Sequence, residues 1–363
     1  MRDLKNKIKS RTNHHLVKTK SWFKKNEKYL IIGFFTFGLI VDNLTLTRID
    51  QVFDNLVILS YLFLAVISII LINYFKAKEN QGKYSYFSKF EKYLPLATQF
   101  AFGGLFSAYI IFYTKSASWA TSWFFLLIIF GLFIGNEKFR KKYKEIDFQI
   151  NILFLALFSF MIFFVPVILK QIGVWIFILS GVLSLLLIYG LIKFISSFVL
   201  EISQKRKKEI FTHIMGVFLL FNLMYFLNII PPVPLSMKEI GVYRNIEKSA
   251  NGDYLLEEVE VPWYSFGNYF IKISQGPVYI YASVFAPTDL ETEIIYEWFR
   301  YDEQKNRWLS YDEVKYSIKG GRGDGYRGYV YSANLEIGEW RVDVKTKSSL
   351  VIGRIKFEIK DTI

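Results

Sequence analysis

The sequence predicts a membrane-embedded all-α bundle of about seven transmembrane helices, followed by a C-terminal all-β sandwich. Three observations predict it. Long apolar runs are confined to residues 29–230. The loops between them are alternately rich and poor in Lys and Arg. Beyond Pro231 the apolar period changes to two.

A spanning helix needs about 20 mostly apolar residues. The candidate spans are 29–47, 55–75, 94–113, 117–135, 149–169, 172–195 and 210–230. The second, from Asn55 to Phe75, is apolar on every face, a pattern that needs full burial or lipid. Residues 1–234 contain 28 Lys and Arg against 12 Asp and Glu, a net of +16, whereas the remainder contains 17 against 20, a net of −3. The basic charge therefore belongs to the membrane half. It has a membrane explanation and calls for no nucleic acid.

Orientation follows from the loops. Residues 1–28 carry ten Lys and Arg, and the next loop carries Arg48 alone. Lys76, Lys78, Lys83, Lys89 and Lys92 follow, then Lys115 alone, then Lys138, Arg140, Lys141, Lys142 and Lys144, then Lys170 alone, then Lys205 to Lys208. Lys and Arg remain on the cytoplasmic side. The expectation is a cytoplasmic N-terminus and, after seven crossings, an extracytoplasmic C-terminal domain. The basic N-terminal segment is long and no small-residue cleavage site follows the first apolar run, so that run reads as a retained helix rather than a signal peptide.

Within the spans, Asp42 and Arg48 form a candidate polar pair at the outer interface, with solvation of each charge as the alternative. Pro95 suits a first helical turn, Gly103, Gly104, Ser107 and Ala108 make a small-residue packing face, and Pro166 is expected to kink its helix. Thr98, Gln99 and Asn222 are the midplane polar candidates, fewer than an ion-coupled transporter usually needs. Ser180 and His213 fall in opposite halves of the bilayer, about 20 Å apart in depth by helical rise, so a serine protease pairing is rejected.

Pro231, Pro232 and Pro234 stiffen the exit from the last span. After them Val314, Tyr316 and Ile318, then Trp340, Val342 and Val344, then Ile355, Phe357 and Ile359 alternate with polar residues, as half-buried antiparallel strands do. Further strands are expected at 254–261, 269–274, 278–286, 293–301 and 326–333. About eight short strands predict a β-sandwich, with the immunoglobulin fold as one form of it. The domains are thus a basic cytoplasmic segment 1–28, a transmembrane domain 29–230, a proline-rich linker and lead-in 231–253, and a β-sandwich 254–363.

The segments Glu297-Trp298, Gly320-Gly321-Arg322, Gly325 to Tyr329, Gly338 to Val344 and Gly353 to Phe357 resemble the family called domain of unknown function 2914. The Pro231 to Ser236 exit, with Gly241-Val242-Tyr243, resembles polytopic bacterial membrane proteins that end in that domain. The resemblance covers residues 295–360 in detail and implies a bacterial envelope protein, which with the orientation read from the loops makes the expected location the inner membrane with a periplasmic C-terminal domain. It supplies no activity, substrate or catalytic residue.

The chemistry left open is narrow. The chain has no cysteine and no histidine after His213, which removes the usual zinc sites and Ser-His or Cys-His nucleophiles from residues 231–363. No cofactor and no metal is called for, and an enzyme is the less favoured reading. Gly321 to Gly325 reads as a hairpin turn rather than a nucleotide loop or an integrin-type Arg-Gly-Asp signal, and Trp340 as core. Glu257, Glu258 and Glu260 read as a solvated strand face. The candidate ligand-binding residues are Arg322, Tyr326, Arg327 and Tyr329, combining planar anion donors with rigid aromatic surface. Pairing of both arginines with local acids, Asp324 and Asp343 among them, is the structural alternative. The expected function is a membrane-anchored binding or signal-relay protein. Its partners would be the lipid bilayer and an envelope protein, glycan or anionic lipid head group. The rival reading is a membrane enzyme or transporter for a lipid-linked substrate.

Overall fold

The structure is a computed structural model. It describes residues 40, 42–46, 48–80, 91, 93–116, 118–136, 138–249, 253–259, 269–272, 277–320, 325–333 and 335–360. The chain divides into two compact units, Met1–Thr47 and Arg48–Ile363. In the first unit Asp42 to Thr45 are helical, and the Asp42 carbonyl accepts from the Leu46 N–H at 2.7 Å. Most of the expected span 29–47 lies outside the described residues.

The second unit begins with helices. These are α1 (Val52–Asn80), α2 (Leu94–Ser116), α3 (Trp119–Gly135), a 3-10 helix (Lys138–Lys144), α4 (Ile146–Leu169), α5 (Val174–Phe198) and α6 (Gln204–Phe226). Among the described residues, α1, α2, α4, α5 and α6 are long and apolar enough to cross a membrane, and α3 is a shorter apolar helix. The helices outrun the apolar runs at their basic ends. Helix α6 starts at Gln204 because the Ser203 hydroxyl accepts from the Arg206 N–H and caps it. It stops at Phe226, short of residue 230, where Asn228 turns into the left-handed region with φ 57°. Pro166 sits in the last turn of α4, where its carbonyl accepts the N–H of the capping residue Lys170.

Several polar groups inside the helices are matched to one another, although the Oδ1 atoms of Asn73 and Asn151 and the Ser159 hydroxyl are buried without a hydrogen-bond partner among the described residues. Asn73 donates to Gln149 at 2.7 Å, Gln149 donates to the Tyr143 carbonyl at 2.6 Å, Tyr143 donates to Asn136, and Asn136 donates to the Gln99 carbonyl at 2.8 Å. Tyr109 and Tyr113 donate to the Ala156 and Ser159 carbonyls, pinning α2 to α4. Each such bond contributes about 1 kcal/mol net, but an unmatched polar group there would cost more. The midplane candidates Thr98 and Asn222, like Ser180, donate to carbonyls of their own helices. Close approach needs glycine at two places: a Cβ on Gly104 would lie 2.6 Å from the Tyr61 ring, and one on Gly181 2.6 Å from Phe218.

The two ends of the helices differ. At one end the basic 3-10 helix leads into α4, and Arg206 at the start of α6 binds Asp147 at the start of α4 through three contacts of 2.8–3.1 Å. At the other end stands the β domain. Lys170 binds Asp289 at 2.8 Å, the Thr288 N–H reaches Asp50 at 3.4 Å, and Ile172 packs against the sandwich core. A cavity of about 30 Å³ at this junction is lined by residues including Phe177, Tyr225, Pro231 and Leu350.

The β domain has nine strands among the described residues: β1 (Ser236–Lys248), β2 (Tyr254–Glu258), β3 (Tyr269–Lys272), β4 (Val278–Phe285), β5 (Glu291–Asp302), β6 (Arg307–Lys319), β7 (Tyr326–Ser332), β8 (Gly338–Thr346) and β9 (Val351–Lys360). They form a four-stranded sheet, order β2-β1-β4-β7, and a five-stranded sheet, order β3-β9-β8-β5-β6. All pairings are antiparallel except β3 with β9. The segment read as linker and lead-in carries β1, a central strand of the first sheet. One core joins the inner faces of both sheets, with Ile280, Val284, Tyr296, Trp298, Trp340, Val342, Val344 and Ile352 among its members. Trp340 is fully buried, as its alternation with polar neighbours predicts, and its indole N–H donates to the Glu336 carbonyl at 2.8 Å.

Candidate functional site: a tyrosine face

Pairing register builds this site. In the four-stranded sheet Tyr243 stands opposite Tyr279, which stands opposite Tyr331, and Tyr281 stands opposite Tyr329. Directly paired residues share a face, so these five tyrosines point away from the core, while Val242, Ile280 and Val330 point into it. A bulge between Tyr243 and Asn245 resets the alternation of β1 and brings Ile246 to the tyrosine side. Beyond the bulge the β1–β2 hairpin curls over this face. Tyr254, paired with Lys248 at the far end of β1, thereby touches both Tyr281 and Tyr329.

The result is an unbroken string of six rings. Tyr243 meets Tyr281 at 6.1 Å, Tyr281 meets Tyr254 at 5.7 Å, Tyr254 meets Tyr329 at 5.9 Å, Tyr329 meets Tyr279 at 5.9 Å, and Tyr279 meets Tyr331 at 5.5 Å. Tyr243 and Tyr281 are buried, Tyr254 and Tyr279 half-buried, and Tyr329 and Tyr331 exposed at 38% and 60%. The string therefore runs from an anchored end to an open one. The hairpin is fastened over it by Asp253, which accepts from Arg327 at 3.0 Å. Burial pushes the Tyr281 phenol above its ordinary range, helped by the Glu239 carboxylate and opposed by Arg327. The Tyr281 hydroxyl is therefore a neutral donor and acceptor at physiological pH.

The expected site residues separate. Arg327 and Tyr329 lie on the tyrosine face. Tyr326 belongs to the inner side, packed against the core and stacked on Tyr316 at 5.9 Å, since an odd step along a strand reverses the face. Arg322 lies outside the described residues. Gly325, at φ 87°, directly precedes β7 in a conformation that favours glycine. But β6 and β7 belong to different sheets, so the segment read as a hairpin turn is instead a crossover between the sheets, with residues 321–324 outside the described residues. Arg48 binds Asp50 through Nε and Nη2 at 3.0 and 2.8 Å, and both Arg48 and Lys238 lie over the Phe285 ring at 5.0 and 5.4 Å. Arg48 thus belongs to the junction with the β domain. Asp42 lies in the first unit and is described above.

The opposite outer face, on the five-stranded sheet, is matched to itself. Arg354 binds Asp343, Lys345 binds Glu297, and Arg341 lies 4.2 Å from the Phe299 ring centre and 5.0 Å from that of Trp308. Glu297, Arg341 and Asp343 come from the sequence segments that carry the family resemblance, and Trp298, Trp340, Val342 and Val344 from the same segments fill the core.

Residues 291–359 match the family described as "Protein of unknown function (DUF2914)". The DUF2914 segment contains β5 to β9, hence most of the five-stranded sheet and the open end of the tyrosine string. Tyr243, Tyr254, Tyr279 and Tyr281 precede it. No curated protein matches the chain. Among solved structures, the alkylpurine DNA glycosylase AlkC of Pseudomonas fluorescens, bound to DNA with an abasic-site analogue, is similar at a TM-score of 0.23 and 9% identity, over 86% of this chain and 100% of that one. A score that low carries no argument about fold or function. No group of three or more metal-ligating side chains occurs among the described residues.

Sequence reasoning missed Tyr243, Tyr254, Tyr279 and Tyr281 as site residues. A signal pointed to two of them: Tyr279 and Tyr281, like Tyr329 and Tyr331, recur at the strand period, which places each pair on one face, whereas no such spacing marks Tyr243 or Tyr254.

Proposed function

We propose that this protein is a multi-pass protein of the bacterial inner membrane whose periplasmic β domain binds an envelope protein through the tyrosine face. The observation that carries the reading is the exposed end of the ring string at Tyr329 and Tyr331, backed by buried tyrosines that hold it rigid. Tyrosine offers large, stiff contact area at low entropic cost, with a hydroxyl for specificity. Arg327 is already neutralised by Asp253, which favours a polar, weakly charged partner over an anionic glycan or lipid head group. The helices anchor the domain or relay its state. Three things support the periplasmic placement: five helices of spanning length, loops whose positive charge gathers at one end, and a β domain at the other. The hydrogen bonds from Asn73 to Gln149 and from Asn136 to the Gln99 carbonyl tie helix to helix, which favours an anchor over a transporter or an enzyme acting on a lipid-linked substrate.

Photo-crosslinking in living cells tests this. A benzophenone amino acid replacing Tyr331 is expected to give a discrete protein adduct. The same probe replacing Lys305, on the β5–β6 turn, is expected to give none. Equal patterns at both positions would refute a protein partner at the tyrosine face. Retention on purified cell-wall glycan without any protein adduct would show a glycan partner instead.

A further inference from the structure

The end of the helices remote from the β domain holds an open cleft of about 540 Å³, formed by the last turn of α5, the connecting loop and the first turn of α6. Ser196, Ser197, Ser203, Gln204 and Lys207 supply polar donors to its wall. Phe198 also lines it and is 77% exposed, with its ring 5.4 Å from that of Phe194. A polar wall thus adjoins an exposed aromatic pair, and Leu186 and Leu187 extend the exposed apolar surface along α5.

The charge around the cleft is predominantly positive: among the described residues Glu201 is the one acid in its wall, against Lys207 there and Lys205 and Lys208 beside it. The first turn of α6 contains no acid, and Lys205 to Lys208 are four consecutive cations. Arg206 is committed to Asp147. Lys205, Lys207 and Lys208 form no ion pair among the described residues, and the nearest carboxylates in sequence are Glu201 and Glu209. These cations also sit at the positive end of the α6 dipole, where charge of their sign is unfavourable without a counter-anion.

We propose that this cleft binds the phosphodiester head group of an anionic phospholipid. Lys207 and the serine hydroxyls would hold the phosphate oxygens, and the acyl chains would run along Phe198, Phe194 and Leu187. A phosphodiester supplies the missing negative charge and accepts several hydrogen bonds. The lipid also supplies apolar chains for the aromatic pair, which a free anion does not. The inference rests on the membrane reading of the helices but not on the tyrosine face or its partner.

The test uses the full-length protein in nanodiscs of phosphatidylcholine, with or without phosphatidylglycerol. Both leaflets carry the same lipid, so the outcome does not depend on which side of a cell membrane the β domain occupies. Phosphatidylglycerol is expected to raise the melting temperature of the wild type and of a Lys207→Arg variant. The rise should be lost in Lys207→Gln with Ser197→Leu and kept in a Lys141→Gln, Lys142→Gln control on the 3-10 helix. Inorganic phosphate added to phosphatidylcholine discs is expected to give no rise. A wild type indifferent to phosphatidylglycerol overturns the proposal. So does an equal loss in the control, which would indicate general surface charge, and so does an equal rise with inorganic phosphate. Failure to enter nanodiscs at all would instead count against the membrane reading.

Discussion

Arg354 donates from Nε and Nη2 to the two carboxylate oxygens of Asp343, at 2.6 and 2.7 Å, from directly opposed positions on β9 and β8. The Asp343 side chain is only 5% exposed and that of Arg354 22%. A paired charge this far from water is balanced by its partner, and removing one member strands the other. Asp343→Ala is therefore expected to cost about 3–5 kcal/mol in the unfolding free energy of the β domain. Denaturant titration followed by tryptophan fluorescence reads it. A loss below about 1 kcal/mol would put the pair in the class of exposed ion pairs.

Trp340 is the clearest core prediction. Its ring is fully buried and its N–H is satisfied by Glu336. Trp340→Ala should destabilise by about 3–5 kcal/mol through lost contacts and the cavity left behind. An unchanged melting temperature would contradict its burial.

Two glycines should behave oppositely. A Cβ on Gly320 would lie 1.8 Å from the Pro287 carbonyl oxygen, whereas one on Gly216 in α6 meets nothing within 4 Å. Gly320→Ala is expected to exceed about 4 kcal/mol, the range reserved for gross clashes. Gly216→Ala should be neutral or stabilising by up to about 1 kcal/mol from helix propensity. Melting curves of the two variants decide it, and similar losses would disprove the local geometry.

The Lys170–Asp289 bridge should depend on pH. The hydrogen bond and charge of Lys170 hold the Asp289 carboxyl below its ordinary range. A depressed carboxyl contributes stability above its unfolded pKa and loses it as pH falls through the folded value. A double-mutant cycle with Lys170→Ala and Asp289→Ala should show coupling at neutral pH that fades in acid. Both side chains are about half exposed, so the coupling should also weaken with salt. Coupling unaltered in acid would refute the bridge.

The helices were legible because a lipid-facing or fully buried run must be apolar all round, as Asn55 to Phe75 is. Their ends were not, because a basic first turn such as Lys205 to Lys208 carries no apolar signal, yet Ser203 caps it. Strands with one buried face, such as Trp340 to Val344, could be read directly. Strand β1 was hidden behind the prolines, and its bulge breaks the two-residue period. The candidate site was half legible. Tyr329 and Arg327 sit together at the strand period, but Tyr254 joins them only through the curl of the β1–β2 hairpin, and Tyr326 was grouped by nearness in sequence although it faces the core. No local pattern encodes which strands become neighbours.

The central claim, a β domain held outside the cytoplasm by a helical anchor, can be tested with single cysteines, since the chain contains none. A cysteine replacing Tyr331 on the exposed end of the tyrosine face, and one replacing Lys142 in the basic 3-10 helix, would be labelled in intact spheroplasts with a membrane-impermeant maleimide. The account predicts that Tyr331→Cys is labelled at once and that Lys142→Cys is labelled only after the membrane is opened. Labelling of Lys142→Cys in intact spheroplasts, with Tyr331→Cys protected, would contradict it.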